Sequence, residues 1–200
     1  CGVGSGGTLS GVGRALKEAN PATKIVLADP SGSILHPLVN RGEKTKPGSW
    51  LVEGMGEDFV PDVCELDLAD VAYPITDQES FDAAQELLRA EGVLAGSSTG
   101  CLVAAALKFC REQTEPMSVV TLACDQGAKY LDKVFSEPYL LDEGLLHREK
   151  TNDLRDLIAL RHDHREDVAI KPTDSAKQAF KTLRLHSACA LPVIDPANPD

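Results

Sequence analysis

Cys1-Gly-Val-Gly-Ser-Gly-Gly-Thr-Leu-Ser-Gly-Val-Gly13 opens the chain, and its reading decides the fold class. Glycines stand at positions 2, 4, 6 and 7, just ahead of a helix-like run over residues 12–19. Glycine permits positive φ and lets a ligand approach main-chain N–H groups closely. A helix start adds unpaired N–H donors and the positive end of the helix dipole. Gly4, Ser5, Gly6, Gly7 and Thr8 therefore read as a seat for a phosphoryl group, with the hydroxyls of Ser5 and Thr8 as extra donors. The plainer reading is a tight strand-to-helix turn that binds nothing.

Three phosphate seats compete at this loop. A P-loop needs a lysine after its last glycine, but Gly7 is followed by Thr8, so that reading fails. Gly2, Gly4 and Gly7 satisfy the dinucleotide spacing G-x-G-x-x-G, and Asp29 ends the apolar run 25–28 at a suitable distance. The phosphate of pyridoxal phosphate is also held by glycine-rich turns at helix starts. The loop alone does not separate the last two.

Outward from the loop, strands and helices alternate. Helices are expected over residues 10–20, near 35–39, over 78–91 with Asp77 as cap, over 101–112, and from 127 to Phe135. Strands are expected over 24–28, 70–75, 93–95 and 118–123, the last apolar enough for the middle of a parallel sheet. This is an α/β pattern, whose ligands sit at strand C-termini. Polar turns at 4–8, 96–100 and 124–127 lie at such ends. Residues 50–61 form a glycine-punctuated loop carrying Glu53, Glu57 and Asp58. Further on, charge density rises, and a strand from Val168, a helix over 177–185 and a strand over 189–194 make a small second α/β unit.

Composition narrows the partners. The chain has 200 residues, is 42% apolar and carries a formal net charge of −11, which argues against nucleic acid or an anionic membrane as partner. No apolar run approaches a membrane span, and residues 1–5 lack the features of a signal peptide. The six cysteines show no C-x-x-C pair or zinc spacing. Cys101, Cys110 and Cys124 lie in or beside apolar runs and read as reduced core thiols of a cytoplasmic protein. His162 and His164 flank Asp163 in a charged stretch that reads as a solvated linker; no metal site is expected. Both ends look cut, so a longer protein is expected.

Taken together, the motifs resemble a known family. Gly4-Ser-Gly-Gly-Thr8 is similar to the phosphate loop of the fold-type II pyridoxal-phosphate enzymes, the cysteine synthase and cystathionine β-synthase family. Glu91-Gly-Val-Leu-Ala-Gly-Ser-Ser-Thr-Gly100 resembles the family segment whose serine, here Ser98, faces the pyridine nitrogen. Val52-Glu-Gly-Met-Gly-Glu-Asp-Phe-Val-Pro61 resembles the substrate-side loop of its cystathionine β-synthase branch. Residues 170–195 resemble the first half of a regulatory CBS module. The motifs follow the family's order and spacing. One segment departs: Ala123-Cys-Asp-Gln-Gly127 lacks the family's Pro-(Asp/Ser)-Ser.

The resemblance implies a tryptophan-synthase-β-like parallel-sheet domain. Its boundaries would be 1–146 for the C-terminal part of the catalytic domain, 147–166 for a charged linker and 167–200 for an incomplete CBS module. It implies pyridoxal 5'-phosphate held by Gly4, Ser5, Gly6, Gly7, Thr8 and Ser98, and a substrate-side loop of Glu53, Gly54, Gly56, Glu57 and Asp58. The family's Schiff-base lysine lies in its N-terminal half. No lysine here matches that context, so no catalytic residue is assigned and this chain alone should be inactive. The implied reaction condenses L-serine with L-homocysteine to cystathionine in cysteine biosynthesis, in a cytoplasmic homo-oligomer. An adenosyl compound would be the ligand of the CBS module.

Alternatives remain at this stage. Cysteine synthase would use O-acetylserine and sulfide. A nicotinamide dehydrogenase would rest on Gly2, Gly4, Gly7 and Asp29, and a non-catalytic adenosyl sensor on the tail. A neutral serine at the ring nitrogen suits a mild electron sink and β-replacement, whereas the plainer role of Ser98 is a helix N-cap. The acids at 53, 57 and 58 suit an amino-group partner, or else form a solvated loop.

Overall fold

The computed structural model describes residues 1–147, 169–185 and 191–194. Two units divide the chain, Cys1–Ser136 and Glu137–Asp200.

The first unit starts with helix α1, Gly7–Ala19, which begins three residues earlier than the sequence suggests. Gly6 caps it at φ 85°, a left-handed conformation open to glycine at little cost. Asn20 ends α1, and the chain turns into strand β1, Val26–Pro30. Helix α2, Leu35–Arg41, follows and closes on Gly42 at φ 66°. Strand β2, Val71–Ile75, lies parallel to β1, from Val26 opposite Val71 to Pro30 opposite Ile75. Asn40 of α2 supports β2: its side-chain amide donates to the Ala72 carbonyl at 2.7 Å and accepts from the Ala72 N–H at 2.8 Å.

Helix α3, Asp77–Glu91, is capped by Thr76, not by Asp77. Thr76 Oγ1 accepts from the Glu79 N–H, and Glu79 accepts in return from the Thr76 N–H, a reciprocal capping box. Asp77 is freed for another task, described below. Helix α4, Ser97–Arg111, starts four residues ahead of the expected Cys101. It packs tightly on α3 at Gly100, where a Cβ would land on the Ser80 carbonyl and lie 2.9 Å from Ala84 Cβ.

Two expected strands are absent. Residues 93–95 make a single antiparallel bridge, Ala95 to Gln126. Residues 118–123 run outside regular structure, with Val120 89% exposed. An apolar, β-branched run forms a strand only when a neighbour completes its hydrogen bonds, and among the described residues none does. The expected helix up to Phe135 is a short 3₁₀ turn over Gly127–Tyr130, followed by further turns.

The core of this unit gathers Val3, Leu9, Ile25, Leu27, Leu35 and Ala72 between α1, the strands and α2. Burying leucines such as Leu9, Leu27 and Leu35 stabilises the fold by about 2 kcal/mol each. Of the three thiols read as core, only Cys101 is buried; Cys110 and Cys124 are exposed. Helical phase decides Cys110, because it sits on the outer side of α4, and Cys124 lies beside the unpaired 118–123 run. Burial pushes the Cys101 thiol up to about 12. The five described cysteines are free, and Cys189 lies outside the described residues.

The second unit contains α5, Glu137–Asp142, and α6, Ala176–Leu185. Ile170 pairs in parallel with Val193, the Ile170 N–H donating to the Pro192 carbonyl and the Ile194 N–H to the Ile170 carbonyl. The expected helix over 177–185 forms, whereas of the expected strands only this isolated bridge is seen among the described residues. Val168, Cys189 and all of the expected linker except His147 lie outside the described residues. The unit boundary at Ser136 falls ten residues before the expected 146. No described helix is long and apolar enough to cross a membrane.

Candidate active site

The site is built where the N-termini of α1 and α4 are tied together by the loop over 50–61. At α1, Gly6 is buried, whereas Ser5, Gly7 and Thr8 are exposed. No side chain caps the helix and no acidic residue stands in its first turn. The N–H donors at this end are therefore not consumed by a protein carboxylate. The glycines are required by close approach: a Cβ at Gly4 would fall 2.7 Å from the Gly54 carbonyl oxygen, and one at Gly6 2.7 Å from Cys64 Cα.

The acidic loop bridges from there to α4. The Gly56 N–H donates to the Val3 carbonyl at 2.8 Å, which fixes the loop beside the glycines. Gly54 and Gly56 adopt φ 80° and 88°. Trp50 Nε1 donates to the Met55 carbonyl at 3.0 Å and folds the loop on itself. The freed Asp77 carboxylate accepts from the N–H groups of Leu51 and Val52 at 2.8 and 3.2 Å, anchoring the loop's first residues to α3. Next to these, the Glu53 N–H donates to the Ser97 hydroxyl at 3.2 Å. The loop thus touches Val3 and Gly4 at one end and α4 at the other.

At α4, three hydroxyls stand in sequence, all buried. Ser97 accepts from Glu53, and Thr99 accepts from the Cys124 N–H at 3.0 Å. The Ser98 hydroxyl makes no hydrogen bond among the described residues. Gly96 is the N-cap, so Ser98 lies inside the first turn and its plainer role as a cap is excluded. The turn over 124–127 packs on the same end: the Gly96 N–H donates to the Asp125 carbonyl and the Gly127 N–H to the Leu94 carbonyl. Tyr130 donates its hydroxyl to Asp125 at 2.9 Å; burial and that carboxylate push its phenol up to about 12.

The acids differ in setting. Glu53 is exposed and forms an ion pair with Lys133 at 2.5 Å. Asp58 is exposed. Glu57 is half-buried, and its Oε1 lies 4.0 Å from the Cβ position of Gly4, beside the glycine turn. Burial, then the Asp58 charge, raise its carboxyl above the ordinary range. Cys64 is raised in turn by burial and by Glu57.

Asp29 does not face this site as a ribose ligand would. It is fully buried, and its Oδ2 accepts from the His36 N–H at 2.8 Å with His36 Nδ1 at 3.4 Å. It serves the start of α2 from inside the core, which removes the acid the dinucleotide reading needs. Burial raises its carboxyl, opposed by hydrogen bonds from Ser33 and His36. Asp77, Ser97, Cys64 and Lys133 were not legible as site residues. Lys133 and Cys64 carry no local motif, and Asp77 reads most simply as a cap.

Glycine-lined N–H donors at one helix start and a buried neutral hydroxyl at another, joined by the 50–61 loop on an α/β scaffold, are the features of a protein class that holds a small anionic cofactor. The family model described as "Pyridoxal-phosphate dependent enzyme" matches residues 1–125, and the chain belongs to that family. It is 39% identical over 153 residues to a cystathionine beta-synthase of Apis mellifera, covering 76% of this chain and 30% of that protein. It is 37% identical over 193 residues to the cystathionine beta-synthase of Saccharomyces cerevisiae, covering 90% of this chain and 38% of that one. Among solved structures it is similar to the O-acetylserine dependent cystathionine beta-synthase of Helicobacter pylori, at 37% identity and a TM-score of 0.58, covering 66% of this chain and 41% of that chain. The chain thus spans well under half the length of these relatives.

The site described fits the family's cofactor. Its exposed α1 donors suit a phosphate, and the unengaged Ser98 hydroxyl suits a ring nitrogen.

Proposed function

We propose that this chain forms the C-terminal part of a cystathionine β-synthase, condensing L-serine with L-homocysteine to cystathionine and water. The observation that carries it is the bridge of the 50–61 loop between the two helix N-termini, with Glu57 aimed at the glycine turn. In this reading Gly4, Ser5, Gly6, Gly7 and Thr8 hold the phosphate, and Ser98 hydrogen-bonds the ring nitrogen without charging it. Pyridoxal phosphate, when bound, supplies the electron sink for loss of the substrate's β-substituent. Glu57 and Asp58 receive the amino group of the second amino acid, while Glu53 pairs with Lys133 and its N–H, bonded to Ser97, holds the loop against α4. Sulfide as acceptor has no amino group to use these acids, which disfavours cysteine synthase. The anchoring lysine comes from polypeptide outside this chain, so this chain alone is inactive. The Helicobacter relative leaves O-acetylserine as the other donor.

The test is made in a full-length enzyme containing this chain. Serine and O-acetylserine are each assayed with homocysteine and with sulfide, in the parent and in Ser98→Ala. We expect homocysteine to be preferred as acceptor. Ser98→Ala should keep bound cofactor, shift its absorbance and slow turnover about fivefold or more, since a buried hydrogen bond contributes about 1 kcal/mol. Preference for sulfide would return the chain to cysteine synthase. An unchanged spectrum and rate would remove Ser98 from the cofactor site. Residues 167–200 are proposed as the start of a CBS module whose ligand is an adenosyl compound; calorimetry with S-adenosylmethionine and AMP on the same protein tests it.

A further inference from the structure

The 50–61 loop forms no helix or strand, and Gly54 and Gly56 stand just ahead of Glu57 at positive φ. Such a stretch has no ladder of its own to fix its backbone. Glu57 is nevertheless held at both of its main-chain groups. Its N–H donates to the Ser33 hydroxyl at 3.0 Å, and its carbonyl accepts from that hydroxyl at 3.1 Å. The Ile34 N–H donates to the same carbonyl at 3.0 Å, so the carbonyl stays held when the Ser33 proton turns to the Asp29 carboxylate.

Ser33 is itself firmly placed. It is 3% exposed, in the turn between β1 and α2, and its hydroxyl also accepts from the Leu35 N–H at the start of α2, at 3.4 Å. A hydroxyl carries one proton and two lone pairs, so one serine can serve both the N–H and the carbonyl of a single residue. Fixing those two groups fixes the direction of the Cα–Cβ bond between them. For Glu57 that direction is the glycine turn, with Oε1 4.0 Å from the Cβ position of Gly4, whereas the adjacent Asp58 is exposed. The clamp thus ranks two neighbouring acids that their chemistry alone leaves equal.

We propose that Ser33 is a positioning residue for the second substrate: by clamping the backbone of Glu57 it presents that carboxylate, ahead of Asp58, to the amino group of the incoming amino acid. Ser33 touches neither substrate nor cofactor and acts only through Glu57. The proposal rests on the role given to the acidic loop above, and the variants below separate the two.

The test uses the full-length enzyme as parent, with Ser33→Ala, Glu57→Gln, Asp58→Asn and the Ser33→Ala/Glu57→Gln double variant. Hydrogen exchange, kcat and the KM values for serine and homocysteine are measured for each. In the parent, the Glu57 amide should exchange about tenfold or more slowly than the amides of Asp58 and Phe59, and Ser33→Ala should erase most of that protection. Ser33→Ala and Glu57→Gln should each raise KM for homocysteine about fivefold or more, against less than about twofold for serine. Asp58→Asn should raise it about threefold less than Glu57→Gln does. The double variant should match the worse single variant within about twofold, because both substitutions remove one interaction. An unprotected Glu57 amide in the parent would overturn the clamp without any substitution. Multiplied effects in the double variant, or a Ser33→Ala enzyme whose two KM values rise alike, would leave Ser33 a structural residue only. An Asp58→Asn effect as large as that of Glu57→Gln would overturn the ranking of the acids. A protected Glu57 amide with KM for homocysteine unchanged in Glu57→Gln would instead remove the role given to the acidic loop, and the presentation by Ser33 with it.

Discussion

Single side chains set the electrostatics of this molecule. Asp29 is buried, and its carboxyl titrates above its usual range because burial disfavours the charge. An acid whose folded pKa is raised binds its proton in the native state first, so the fold gains stability as pH falls through the folded value. The gain is complete below the unfolded value of about 3.9. Asp29→Asn keeps an oxygen for the His36 N–H and removes the titration. The melting temperature of the variant should therefore depend less steeply on pH than that of the parent between neutrality and pH ~4; parallel pH profiles would refute this. Glu57 is the second case. Its carboxylate stands beside the glycine turn, where an anion is proposed to sit. Glu57→Gln in the full-length enzyme should tighten binding of pyridoxal phosphate severalfold, read by fluorescence titration, while raising KM for homocysteine. Weaker cofactor binding would place Glu57 among the cofactor's supports instead.

Elements are governed by how closely they approach. In an exposed helix, glycine to alanine stabilises by about 1 kcal/mol. At Gly100 the sign reverses, because the new methyl meets the Ser80 carbonyl and the Ala84 backbone N at 3.0 Å. Overpacking costs typically 1–3 kcal/mol, so Gly100→Ala should lower the urea midpoint without changing the slope. A raised midpoint would show that α3 and α4 have room to separate. The helices themselves were legible: apolar spacing and the Gly92 stop located α3, and only the cap moved from Asp77 to Thr76. The strand expected over 118–123 did not form, because a strand is completed by neighbours that local composition does not name.

For the whole molecule, the buried hydrophobic side chains among the described residues belong to the first unit except Leu140, which lies beyond Ser136. A chain ending at Ser136 should keep the main thermal transition within about 3 °C of the parent, by circular dichroism. A larger drop, or loss of cooperativity, would mean that residues 137–200 complete the core. The net charge of −11 is consistent with small-molecule rather than polyanion partners.

Local chemistry was enough to read the glycine turn as a phosphate seat, whereas the Ser98 segment and the acidic loop were singled out by their resemblance to a family's motifs. The physics behind the first reading is short-range: glycine's φ freedom, helix-terminal N–H groups and the order of turns along an α/β chain. Even the choice of Ser98 among three adjacent hydroxyls came from its place in the motif. What tertiary structure decided is which groups are spoken for. Ser97 and Thr99 bond to Glu53 and Cys124, Asp77 anchors the loop, Lys133 pairs with Glu53, and Asp29 turns into the core. Each of those pairings joins residues far apart in the chain, and whether a carboxylate is buried, paired or free depends on neighbours that only folding supplies.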